Sequence, residues 1–111
     1  MRTSVLVLAP SERELEGVLP NNRQSVDIAG THVIGRSIGV GKVLSALDAQ
    51  SAILHHKPSL VVLVGYCGAL DPHLQILDAV IAEKVIQYDL DLRAFGLPRG
   101  GTFDAKSQVC E

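Results

Sequence analysis

Three short segments of this sequence hold residue types that could do chemistry. The first is Pro10-Ser11-Glu12-Arg13-Glu14, which sets two carboxylates just after an apolar run. A carboxylate at the end of a buried strand can take a proton from water as a general base. The same pair also reads as acidic residues that complement a helix N-terminus. The second segment is Gly39-Val40-Gly41-Lys42. Glycines ahead of a helix permit a tight turn and present backbone N–H groups to an anion or polar ligand. It is neither a Walker A loop nor a dinucleotide fingerprint, because the later Gly and Ser/Thr positions are missing. On its own it serves equally as a strand-to-helix turn. The third is Gly65-Tyr66-Cys67-Gly68-Ala69. Glycines at a strand end let a flat ligand approach the backbone closely. Cys67 is a nucleophile by type, but no positioned histidine identifies itself. A small, soft packing side chain is the other reading.

The histidines His32, His55, His56 and His73 have no metal-ligand spacing. His55 and His56 are adjacent at a helix end, where a cation suits the dipole. No metal and no cofactor is expected.

These segments need elements to position them. Ser4 to Ala9 is a continuous apolar run rich in β-branched residues, which suits a strand buried on both faces. Ser11 followed by Glu14 has capping-box spacing, so a helix is expected there, ending before Pro20-Asn21-Asn22. Gln24 to Ile28 and Thr31 to Ile38, separated by Ala29-Gly30, predict a hairpin. Val43, Ala46, Leu47, Gln50, Ile53 and Leu54 recur at helical spacing, predicting a helix from Lys42 to His56 closed by Lys57-Pro58. Leu60 to Val64 reads as a second fully buried strand, and the apolar stretch from Ala79 to Ala82, running on to Asp91, as a further one. The tail from Leu97 has no clear period. The order is α/β: a mixed, largely parallel sheet flanked by helices, read as a single partial domain over residues 1–111. Parallel central strands would gather the three segments at their C-terminal edge, where open α/β sheets bind ligands.

Composition narrows the classes. A chain of 111 residues, 47% of them hydrophobic, fits one small domain. With two Tyr, two Phe and no Trp, its core must be aliphatic. The net charge is −2 and no Lys/Arg cluster occurs, which argues against a nucleic-acid partner. The run Val5 to Ala9 is too short to span a membrane, and no signal peptide is legible. Cys67 and Cys110 are expected as free thiols in the reducing cytoplasm.

Taken in order, Val5 to Glu14, Gly39 to Val43, and Lys57-Pro58 through Gly65-Tyr66-Cys67-Gly68-Ala69-Leu70 resemble the N-terminal half of the purine nucleoside phosphorylase superfamily. The likeness continues through Pro72 and Asp78. Asp89-Leu90-Asp91-Leu92-Arg93-Ala94-Phe95-Gly96 is most similar to the methylthioadenosine/S-adenosylhomocysteine nucleosidases, which cleave the N-glycosidic bond with water. The resemblance covers residues 4 to 104 and implies the N-terminal half of the nucleoside phosphorylase fold. It implies Glu14 as the residue that activates water, with Glu12 as the alternative. It places Val40 on the ribose and nucleophile side, and Cys67 and Gly68 beside base and sugar. Leu92, Phe95 and Leu97 would cross a homodimer interface to close the neighbour's 5′-substituent pocket.

Three positions depart from the family. Tyr66 stands where Ser or Thr is usual, which narrows the pocket. Leu77 replaces a common Gly. Leu63 stands where related phosphorylases often place a phosphate-binding Arg, which favours hydrolysis, since a phosphate dianion needs paired cations. Members of the family are longer, and the resemblance assigns their remaining part the ribose-holding Glu, the Asp that protonates the purine and the aromatic that stacks on it. The expectation is therefore a purine-nucleoside hydrolase module, inactive alone. The alternatives are a non-catalytic, self-associating remnant that binds nucleoside weakly, and a phosphorylase or futalosine-type hydrolase. An uncovered edge strand would favour a homo-oligomer.

Overall fold

The structure is a computed structural model that describes residues 3–103 and 109–110. The Cys110 thiol and Asp104, at the end of the family likeness, lie outside the described residues. The chain divides into two compact units, Met1–Ala69 and Leu70–Glu111.

In the first unit, strand β1 (Ser4–Ala9) has no polar position after Ser4 and takes the centre of a four-stranded sheet. β3 (Thr31–Ser37) and β4 (Leu60–Leu63) flank it, both parallel to it, and β2 (Ser25–Ile28) is antiparallel to β3. Alternation along β1 feeds two cores. Leu6 and Leu8 pack with Ile38 and Ala52 on one face, while Val7 and Ala9 pack with Leu15 and Val33 on the other. Helix α1 (Glu12–Leu15) lies on β1 and β3, and helix α2 (Lys42–His56) on β1. The mixed, largely parallel sheet flanked by helices is thus the expected one. The β2–β3 hairpin closes through Ala29 and Gly30, with φ of 47° and 80°, the positive pair that a two-residue type I′ turn requires.

Several expectations need correction. The first helix stops at Leu15 instead of running to Pro20. The Val18 and Leu19 N–H groups both donate to the Leu15 carbonyl, at 2.9 and 2.8 Å, and close a turn at the weak helix former Gly17. That turn lowers Leu19 onto Gly35 of β3, so tightly that a Cβ at Gly35 would collide with the Leu19 side chain.

α2 has the expected bounds and ends on Lys57 in the left-handed region (φ 46°, ψ 54°), whose N–H donates to the Ile53 carbonyl. The less exposed positions of α2 are Ser45, Ala49, Ala52 and His56, not the larger apolar stripe. Val43, Leu47 and Leu54 are exposed.

β4 is not fully buried. It has one neighbour, β1, and sits at the rim of the sheet, so Leu60 and Leu63 are exposed. Ala79 to Asp91 forms no strand. Its apolar residues find no neighbouring ladder to satisfy the backbone, and Val80, Ile81 and Val85 are exposed.

The second unit is built of turns. The Asp71 carboxylate accepts from the His73 N–H at 2.8 Å, and the Asp78 carboxylate accepts from the Gln75 N–H at 2.8 Å. A short 3-10 turn, Arg93–Phe95, closes on Gly96 (φ 83°). β5 (Thr102–Phe103) and β6 (Val109–Cys110) pair antiparallel, a short ladder that the aperiodic tail does not announce. Among the described residues no helix is long and apolar enough to cross a membrane.

Candidate functional site

The register aligns the ends of the parallel strands. Ala9 of β1 pairs with Ser37 of β3, and Leu8 pairs with Leu63 of β4. The ladder runs one bond further on each side, from the Ile38 N–H to the Ala9 carbonyl and from the Val64 N–H to the Leu8 carbonyl, both at 2.9 Å. The segments Pro10 to Glu14, Gly39 to Lys42 and Gly65 to Gly68 therefore leave the sheet at one edge.

Glu14 is held there from two sides. Its Oε1 accepts from the Tyr66 backbone N–H at 3.1 Å, and its Oε2 accepts from the Ser11 hydroxyl at 2.7 Å. These donors favour the ionised form. The Ser11 hydroxyl, then the Tyr66 N–H, hold the Glu14 carboxyl below the usual glutamate range. Gly65 makes the approach possible: a Cβ there would stand 3.1 Å from Glu14 Oε1 and 3.7 Å from Pro10 Cδ. Glu12 is exposed, whereas Glu14 is partly buried.

The Ser11–Glu14 pair makes only half of a capping box: the Ser11 backbone N–H still helps, as the least of the causes, to hold the Glu14 carboxyl down, but the serine's own cap is missing. The Ser11 side chain caps no backbone N–H. It donates to the Glu14 carboxylate, and the Glu14 N–H reaches only the Ser11 carbonyl, at 3.2 Å. Sequence reasoning saw the pair but assigned its hydroxyl to the helix. It did not identify Tyr66 as a partner, because a backbone donor leaves no mark in residue types.

The Gly39–Lys42 turn has Gly39 at φ 72° and Gly41 at φ 97°, both in the region that favours glycine. The Ser45 hydroxyl donates to the Gly39 carbonyl at 3.2 Å and fixes the turn, a role the sequence did not suggest. Val40 at its tip is exposed. Cys67 is an exposed free thiol, and a Cβ at Gly68 would meet nothing within 4 Å. Tyr66 is exposed, as is Leu63 at the end of β4. The structure brings Glu14 and the Tyr66 backbone into direct contact and sets Val40, Cys67 and Gly68 at the same sheet edge.

Leu92, Phe95 and Leu97 belong to the second unit. Phe95 is exposed, Leu92 is half-buried and Leu97 is buried in its own chain. Asp91 anchors their segment. Its carboxylate accepts from Arg93 Nη2 at 2.6 Å and Nε at 2.9 Å, and these bonds lower its carboxyl to about 2.

At the far end of α2, His56 is not the dipole-stabilised cation the helix end suggests. Desolvation first, then the Arg36 guanidinium, push its imidazole below the ordinary histidine value. Neutral Nε2 accepts from Arg36 Nε at 3.2 Å.

A mixed, largely parallel sheet of this topology, with a carboxylate and two glycine-bearing turns at the C-terminal edge of its parallel strands, has counterparts among known proteins. The chain belongs to the Phosphorylase superfamily, whose family model matches residues 20–110. It is related there to the 5′-methylthioadenosine/S-adenosylhomocysteine nucleosidases. The enzyme of that name from Marinomonas sp. (strain MWYL1) is 34% identical over 71 residues, covering 64% of this chain and 31% of the relative. The S-adenosylhomocysteine nucleosidase of Streptococcus pyogenes, solved with 5-methylthiotubericidin, is 28% identical with a TM-score of 0.70, over 88% of this chain and 47% of that one. The Helicobacter pylori methylthioadenosine/S-adenosylhomocysteine nucleosidase, solved with a pyrrolidin-3-ol ligand, shares the fold with a TM-score of 0.74 at 24% identity, over 99% of this chain and 53% of that one. The chain thus spans about half the length of the solved relatives.

Proposed function

We propose that this chain carries the water-activating side of a site that hydrolyses the N-glycosidic bond of methylthioadenosine- or S-adenosylhomocysteine-like nucleosides. The observation that carries the reading is the Glu14 carboxylate, fixed at the C-terminal edge of the parallel strands by Tyr66 N–H and Ser11 Oγ. Glu14 takes a proton from water as that water's oxygen bonds to the anomeric carbon. The C–N bond breaks, and its electron pair leaves with the purine, which needs a proton from a general acid. Val40, Cys67 and Gly68 line the sugar and base, and Leu92 and Phe95 meet the 5′-substituent of a nucleoside bound to a second copy. Leu97, buried in its own chain, is left out of that contact, contrary to the expectation from the resemblance. Leu63 in place of a cation supports water over phosphate as nucleophile. The exposed rim strand and the exposed Val43, Leu47 and Leu54 support self-association, and the free Cys67 thiol fits the reducing cytoplasm.

The 111 residues by themselves are expected to release adenine from methylthioadenosine no faster than their Glu14→Gln variant. Loss of leaving-group protonation alone costs about 10²–10⁴-fold. Robust turnover abolished by Glu14→Gln would keep the base and overturn the claim of an incomplete site. Robust turnover that survives Glu14→Gln would remove Glu14 from the mechanism.

A further inference from the structure

We propose that Ser11 is a positioning residue for Glu14: its hydroxyl and the Tyr66 N–H together select the carboxylate rotamer and leave fixed acceptor positions toward the sheet edge. The proposal rests on the reading of Glu14 as the base.

An ionised carboxylate has about four acceptor positions on two oxygens. One position on Oε2 is taken by Ser11 Oγ at 2.7 Å, and one on Oε1 by the Tyr66 N–H at 3.1 Å. The two donors come from separate parts of the chain and reach different oxygens. Ser11 lies three residues back in the same turn, while Tyr66 arrives on the loop after β4. A carboxylate gripped at both oxygens cannot turn about its terminal bond without breaking one of the two. The remaining acceptor positions are therefore fixed in direction, which is what a base needs to orient water before proton transfer. The Ser11 bond is the shorter and the stronger influence on Glu14 ionisation. It is also separable from the helix, because the Ser11 side chain caps no backbone N–H.

There is a chemical cost in the same bond. A hydroxyl that stabilises the carboxylate also lowers its basicity, so Ser11 trades proton affinity for aim. Removing it should leave a more basic but less directed Glu14.

The test reads Glu14 itself and needs no substrate. Carboxyl ¹³C shifts are followed against pH in the 111-residue chain, its Ser11→Ala variant and its Ser11→Thr variant. The Tyr66 amide shift is recorded in parallel as a reporter of the second bond. Ser11→Ala is expected to move the Glu14 titration upward, with loss of a single Glu14 rotamer in its side-chain couplings. Ser11→Thr, which restores a hydroxyl, is expected to return both to the original values. An unmoved titration in Ser11→Ala overturns the proposal, as does a Ser11→Thr chain that behaves like the alanine variant. A merely structural role for Ser11 would shift the thermal midpoint and leave the Glu14 titration alone. Turnover that survives Glu14→Gln would remove Glu14 as the base while leaving the titration result standing; an unmoved titration would remove Ser11 as its positioning residue whatever the turnover.

Discussion

The two units are held by different physics. In Met1–Ala69, bonds and contacts join residues far apart in sequence: β1 pairs with strands on both sides, and Leu6, Val7, Leu8 and Ala9 are buried between two helices. In Leu70–Glu111, side chains mostly satisfy backbone two or three residues away, as Asp71 does for His73, Asp78 for Gln75 and Asp91 for Arg93. Among the described residues, Leu97 is the one buried hydrophobic of that unit. The contrast teaches where a precise site can be built. A carboxylate on long-range scaffolding inherits the rigidity of the sheet, whereas local turns fix a loop's shape without burying it.

Truncations should separate the units most sharply. Leu6→Ala, at a fully buried position between β1 and α2, is expected to cost about 2–5 kcal/mol of unfolding free energy. Ile81→Ala, at a position 95% exposed, should stay within about 0.5 kcal/mol of the parent. Urea unfolding of both variants checks this, and equal losses would erase the contrast.

A smaller effect probes strain in the second unit. Leu77 holds a φ of 75°, where a side chain costs about 1–2 kcal/mol. Glycine's larger unfolded-state entropy offsets part of the relief, so Leu77→Gly should stabilise the local turn by roughly 0.5–1 kcal/mol. Slower hydrogen exchange of the Asp78 amide, which donates to the Gln75 carbonyl, would register it. Faster exchange would contradict it.

The smallest effect concerns pH at the first unit's helix end. Desolvation and Arg36, with His55 and His32 nearby, lower the His56 imidazole from 6.5, so the native state binds fewer protons than the unfolded chain. This contribution is fully present above 6.5 and is lost as pH falls through the lowered native value. His56→Gln keeps an acceptor for Arg36 and should flatten that part of the melting temperature's pH dependence. His55→Gln removes only a lesser cause of the shift and should leave most of that dependence in place.

Much of this was legible in the sequence, for identifiable reasons. A run with no polar position, such as Val5 to Ala9, has few places in a fold other than between two layers. Ala29-Gly30 fixes a hairpin through backbone conformation, and Lys57-Pro58 ends a helix by sterics. What stayed hidden depends on neighbours. The composition of Leu60 to Leu63 specifies a strand but not that it lies at a rim. The apolar stripe of α2 gives the helix its period, yet small residues meet the sheet. Ala79 to Asp91 has strand-like residues without a ladder to join. At the candidate site, Glu14 and the glycine turns were readable from residue type. Its two hydrogen bonds were not, because one donor is backbone and the other was a hydroxyl with a competing use.

The most direct test is an NMR-detected titration of the 111-residue chain with adenine and with a methylthioadenosine analogue. The account predicts weak, saturable shifts of the Val40, Tyr66, Cys67 and Gly68 amides for the analogue, with the Tyr66 response altered in Glu14→Gln. No saturable shift at these amides, or shifts confined to Leu70–Glu111, would contradict a nucleoside site at the C-terminal edge of this sheet.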